Sequence, residues 1–205
     1  MSHIKTDTTR SHSINTNRMP GNLVIISGPS GVGKTTLYKA LLKRFPDMLY
    51  SVSYTTRKPR YGEQDGVDYH FIPEIDFKKN IETGKWTEWA EVHGHYYGTS
   101  ADFLNKGLTS GYDILLDIDV QGTIQILKHF PDSITIFILP PSMDALKNRL
   151  RLRGSDSESV IEKRLLNAKK EVGKKDIYRY VVINDRLTDA TEKLVSIIEK
   201  ERLAV

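Results

Sequence analysis

The chain contains no cysteine, which removes disulfides, thiolate metal sites and a cysteine nucleophile from consideration. That composition fits a reducing compartment, and a cytoplasmic location is the expectation. No run approaches the roughly 18 apolar residues of a membrane span, so no membrane partner is expected. Charge of one sign is nowhere concentrated. The 30 lysines and arginines stand among 26 acids, a net charge of +4, with no basic block and no RNA-binding signature. Nucleic acid is therefore not an expected partner, and a site for several phosphate groups accounts for the small excess. Residues 1–20 are rich in Ser, Thr, Asn and His and almost free of large apolar groups. They read as a disordered tail, and Asp7 and the missing apolar h-region argue against a targeting signal. Residues 21–205 suit one domain, with no internal repeat or linker to divide them. The oligomeric state is left open, with room for a homo-oligomer.

What is present is concentrated in one stretch. The apolar run Leu23-Val24-Ile25-Ile26 leads into Ser27-Gly28-Pro29-Ser30-Gly31-Val32-Gly33-Lys34-Thr35-Thr36, and a helical pattern through Leu37, Leu41 and Leu42 follows. G-x-x-x-x-G-K-T between a strand and a helix is a phosphate-binding loop in its confirming context. Its glycines let backbone N–H groups turn inward around a phosphate, and the helix N-terminus adds partial positive charge. Lys34 has the reach for β- and γ-phosphates, and the Thr35 hydroxyl suits Mg²⁺. Residues 28–36 are accordingly the expected triphosphate site.

Beyond the loop helix, which runs to about Phe45, strand-like and helix-like segments alternate. Strands are predicted at Leu49–Ser53, Tyr69–Ile72, Trp86–Val92, Ile114–Asp117, Ile134–Leu139 and Tyr180–Ile183. A short helix carries Phe77 and Ile81 and ends at Gly84, and further helices span about 100–108 and 121–129. Two more begin near Ser142 and Ser157, separated by Gly154-Ser155-Asp156, and the closing helix carries Leu187, Ala190, Leu194, Ile197 and Ile198. This order predicts an α/β fold, a parallel sheet core with helices on both faces. The core comprises 21–52, 100–140 and 176–205, and residues 53–99 interrupt the alternation as an inserted subdomain.

A phosphate-binding loop alone leaves ATPase, GTPase, kinase and scaffold open. In the inserted segment, Arg57 and Arg60 stand three apart in Ser53-Tyr54-Thr55-Thr56-Arg57-Lys58-Pro59-Arg60, with Tyr69 and Tyr97 as hydroxyl donors. Planar guanidinium groups suit a second, non-transferred phosphate, although such a pair is by itself more often a solvated surface. His93 and His95 lack further metal-ligand spacing, so a turn near the nucleotide pocket is the reading rather than zinc. Trp86 and Trp89 are expected to pack the subdomain's core.

The stretches Ser53 to Tyr69, Glu88-Trp89-Ala90 through Tyr96-Tyr97-Gly98-Thr99, and Leu116-Asp117-Ile118-Asp119-Val120-Gln121-Gly122, taken with the phosphate loop, resemble the guanylate kinase family from about Asn22 to the end of the chain. The resemblance implies a nucleoside monophosphate kinase fold and transfer of the γ-phosphoryl of ATP to GMP. It implies that Ser53, Arg57, Arg60, Tyr69 and Tyr97 hold GMP, Ser53 near the base and the others chiefly at its phosphate, and that Glu88, Thr99 and Asp119 meet the guanine side. The chemistry agrees for Glu88, because guanine presents N1–H and the 2-amino group together to a carboxylate, whereas adenine offers a lone pair at N1.

Asp117, ending its strand, is favoured for the Mg²⁺ shell with Thr35, though either Asp117 or Asp119 can serve the metal. Arg149, Arg153 and Arg164 match the arginines of the family's mobile ATP lid, here about 141–175, and with Lys34 and Arg57 form the expected catalytic set. By their spacing alone Arg149 and Arg153 read as one solvated helix face. A binding scaffold built on this fold would be expected to have lost loop or lid residues. A kinase for a ribose bisphosphate would not need Glu88 and Thr99. A GTPase switch lacks its N-K-x-D signature, since Asn105-Lys106-Gly107-Leu108 has no acid.

Overall fold

The computed structural model describes residues 19–92, 94–152, 154 and 157–204. In chain order the elements are β1 (Leu23–Ser27), α1 (Lys34–Arg44), β2 (Leu49–Tyr50), β3 (Tyr54–Thr55), β4 (His70–Phe71), α2 (Glu74–Glu82), β5 (Trp86–Val92), β6 (His95–Ser100), α3 (Ala101–Thr109), β7 (Ile114–Asp117), α4 (Val120–His129), β8 (Ile134–Leu139), α5 (Met143–Leu152), α6 (Glu158–Val172), a 3-10 turn at Lys175–Ile177, β9 (Tyr180–Ile183) and α7 (Leu187–Arg202).

Five strands form an all-parallel sheet in the order β2-β7-β1-β8-β9. The reason β1 reads as an unbroken apolar run lies in its two covered faces. Val24 and Ile26 enter one core with Leu37 and Leu41 of α1 and Ala190, Leu194, Ile197 and Ile198 of α7. Leu23 and Ile25 enter the other with Leu104 and Leu108 of α3 and Ile126 of α4. Such burial on both sides is the mark of a parallel sheet between helix layers. The carboxyl ends of β1, β7 and β9 gather on one edge, where ligands of open α/β sheets bind.

A second, four-stranded sheet in the order β4-β3-β6-β5 is built from residues between 54 and 100. The expected strand over Leu49–Ser53 is corrected here. β2 stops at Tyr50 and pairs with β7, while β3 starts at Tyr54 and pairs with β6. The apolar pattern is continuous across the break; long-range pairing decides where the chain changes sheets.

A second correction concerns the tryptophans. Between Trp86 and Glu88 the register slips by one residue, so that Trp86 faces Ser100 and Glu88 faces Thr99. This bulge turns Trp86 onto Phe77, ring centroids 4.6 Å apart, while Glu88, Ala90 and Val92 line a cavity. Trp89 is 37% exposed and only borders that aromatic cluster.

Helices α5 and α6 pack on each other through Leu146, Leu150, Ile161 and Ala168. Among the described residues, no helix is long and apolar enough to cross a membrane.

Candidate functional site

Gly33 N-caps α1 at φ +98°, a conformation that disfavours any other residue, and a Cβ there would stand 2.6 Å from Nδ2 of Asn184. No side chain caps this helix and no acid lies in its first turn. In α3 and α4, by contrast, Ser100 and Asp119 accept from first-turn N–H groups. The N-terminal dipole of α1 is therefore left for an anion.

The loop ahead of it is held from outside. Asn184 Nδ2 donates to the Val32 carbonyl at 2.8 Å, and the Arg149 guanidinium donates to the carbonyls of Asn184 at 2.8 Å and Val32 at 3.4 Å. Lys34 Nζ donates to the Gly28 carbonyl at 2.8 Å and lies 3.9 Å from Asp117 Oδ1. Burial raises the Asp117 carboxyl above its ordinary range, with Lys34 pulling the other way.

A cavity of about 390 Å³ opens here, lined by Ser30, Gly31, Gly33, Lys34, Thr35, Thr36, Arg60, Tyr69, Arg149 and Arg164. Four cations converge on it with the loop's backbone, a combination suited to a polyphosphate. Arg153 and His93 lie outside the described residues.

A smaller cavity of about 200 Å³ is lined by Ser53, Tyr69, Glu88, Ala90, Val92, Tyr97, Asp117, Ile118 and Asp119. Tyr69 borders both cavities. Glu88 is 6% exposed, and its Oε1 accepts from the Thr99 hydroxyl at 2.6 Å. Burial pushes its carboxyl up to about 7, with nearby Asp119 adding to the shift and the Thr99 bond opposing it. Asp119 spends Oδ1 on the Gly122 N–H at 2.8 Å, in its role as N-cap of α4.

Arg57 sits beside these cavities with its guanidinium forked onto Glu63, both N···O distances 2.9 Å, and lies 5.3 Å from the Tyr69 ring centre. Arg57 holds the Glu63 carboxyl below its ordinary range.

Of the described residues predicted for the site, most line one of these two cavities; Arg57 lies beside them, and Thr99 is fully buried behind Glu88. Sequence reasoning missed Glu63, Asn184 and Glu171. The last stands near the end of α6, where its carboxyl is raised by burial and senses both Lys34 and Asp119. Asn184 carries a faint signal, a polar residue directly after an apolar strand. Glu63 carries none beyond lying three residues past Arg60.

The guanylate kinase family model matches residues 20–201. Curated relatives named guanylate kinase include a protein of Aromatoleum aromaticum, 50% identical over 185 residues that span 90% of this chain and 91% of that one. Another, from Caldanaerobacter subterraneus subsp. tengcongensis, is 48% identical over 185 residues, 90% of each chain. The crystal structure of guanylate kinase from Anaplasma phagocytophilum is similar with a TM-score of 0.72 at 31% identity, covering 90% of this chain and 87% of that one.

Proposed function

This chain belongs to the guanylate kinase family, and from that premise we propose how its two cavities carry the reaction ATP + GMP ⇌ ADP + GDP. The observation that supports the division most directly is the buried Glu88 carboxylate, held by Thr99 in the smaller cavity next to a cation-lined larger one. GMP places its guanine in the smaller cavity, where Glu88, held from behind by the buried Thr99, accepts from N1–H and the 2-amino group while Ser53 and Asp119 complete the wall. Its phosphate reaches Arg57, Arg60, Tyr69 and Tyr97. ATP lays its phosphates on residues 28–36, a P-loop, under Arg149 and Arg164, and the family resemblance adds Arg153 to that set.

The acceptor phosphate is already an anion at neutral pH, so no general base is required. One of its oxygens attacks the γ-phosphorus, the bond to the β–γ bridging oxygen breaks, and ADP leaves. Catalysis is then alignment of two polyanions and neutralisation of charge by Lys34 and the arginines. Thr35 and Asp117 flank Lys34 and bring a hydroxyl and a carboxylate, hard oxygen donors that fit Mg²⁺ shared with phosphates. When bound, that ion supplies further charge neutralisation on the triphosphate. We assign residues 53–99 as the GMP subdomain and α5–α6 as a lid that excludes water, and a cytoplasmic location accords with a chain without cysteine.

A phosphotransfer assay with ATP against GMP, AMP, UMP and ribose 1,5-bisphosphate tests the reading. GMP should be the preferred acceptor by a wide margin, and faster turnover of any other would overturn it. The division of the site has its own test in Arg57→Ala. Without the guanidinium the phosphate loses its partner and meets Glu63 as an uncompensated anion, a combined loss of roughly 1.5–3 kcal/mol that should weaken GMP about 10- to 150-fold. Isothermal titration should find ATP affinity unchanged; equal losses for both nucleotides would contradict the assignment.

A further inference from the structure

Gly122 is the wrong residue for its place by helical propensity. It is the third residue of α4, within ordinary helix, where alanine would be favoured by about 1 kcal/mol. Such a glycine calls for a packing or functional reason. The reason lies across the gap to β5. A Cβ at Gly122 would stand 2.9 Å from Oε2 of Glu88 and 3.3 Å from its Cδ. A lone carboxylate could swing aside, but this one is held twice. Its Oε1 accepts from the Thr99 hydroxyl. Its strand is pinned to α4 one residue further on, where Gln125 accepts from the Trp89 N–H at 3.2 Å and donates to the Trp89 carbonyl at 2.9 Å. Gln125 lies three residues after Gly122, on the same side of the helix.

We propose that Gly122, backed by Gln125, is a positioning residue for substrate choice: the bare first turn of α4 sets how deep the Glu88 carboxylate sits, and so where the guanine edge must lie. Helix α4, packed against the parallel sheet, thereby places a group of the second sheet. The inference rests on Glu88 reading guanine. It adds that the reader is aimed by a helix that need not itself touch the base.

The test is Gly122→Ala alone and in a Glu88→Gln background. The single variant should stay folded with only a modest change in melting temperature, because the better helix former offsets much of the cost of displacing Glu88. KM for GMP should rise on the order of tenfold, with KM for ATP unchanged and the preference for GMP over AMP reduced. In the Glu88→Gln background the same change should cost less than about twofold further, because the group it acts through has already been altered.

An unchanged KM for GMP in the folded Ala variant would overturn the proposal. So would an equal loss in both backgrounds, or an equal loss for ATP. Should the Ala variant not fold, Gln125→Leu loosens the same strand without adding atoms near Glu88 and should produce the same GMP-specific rise in KM; no rise there would likewise sink the idea. If Glu88→Gln itself leaves GMP turnover and selectivity intact, the reading of Glu88 falls first, a result distinct from failure of Gly122→Ala alone.

Discussion

Replacing Lys34 by Ala should leave a folded protein that transfers phosphoryl groups on the order of 10²- to 10³-fold more slowly, the scale of losing one preorganised charge stabiliser at a transition state. The side chain opens α1 and donates to the Gly28 carbonyl. Alanine is the best helix former, so the element tolerates the change. Lost with the ammonium group is the cation nearest both the glycine loop and Asp117, 3.9 Å away. The Asp117 carboxyl, already raised by burial, then loses the charge that opposes that rise. Circular dichroism should be unchanged and single-turnover rates should carry the whole deficit. Near-normal turnover in a folded variant would remove Lys34 from the mechanism.

The second large effect is expected at Glu88. Changing it to Gln keeps size but puts an NH₂ donor where guanine also presents donors. GMP turnover should fall by roughly 2–4 kcal/mol in transition-state terms, about 30- to 1,000-fold. Discrimination against AMP should shrink, because the amide can donate to adenine N1.

Stability should move the other way. Folding raises this carboxyl from 4.5 to about 7, so the folded state binds its proton more tightly than the unfolded chain does. That contribution is fully present below about 4.5 and is lost as pH rises through about 7. Gln carries no such titration. The free variant should therefore gain on the parent as pH rises, by an amount on the order of 3 kcal/mol above pH 8. Denaturant unfolding at pH 5 and pH 8 checks the sign, and a variant that loses ground at high pH would contradict it.

Much of this site could be read from residues alone, and the reason is locality. β1, the glycine loop and α1 declare themselves because an apolar run, the glycine spacing and a helical repeat are all short-range signals that agree. Asp117 follows from ending a strand buried on both faces.

What could not be read depends on partners far along the chain. The bulge before Glu88 is invisible because Trp86 and Glu88, two apart, would share a face in any regular strand. The break after Tyr50 is invisible because Ser51 still donates to Leu115 before the chain departs for the other sheet. Asn184 acts on Val32 across 152 positions. Glu63 answers a competition between counter-ions that no spacing rule describes.

That last residue gives the acceptor site a character of its own. With Glu63 forked onto Arg57, the proposed assignment of Arg57 to the acceptor phosphate makes the site an ion exchanger. An arriving phosphate displaces a carboxylate, so its affinity is the difference between two similar salt bridges. Little charge is newly neutralised in the exchange. Binding at Arg57 should then respond to ionic strength far less than a bare guanidinium would. Because Arg57 keeps Glu63 ionised below the ordinary carboxylate range, the stand-in remains ready to return. Release of the diphosphate product then leaves Arg57 paired again.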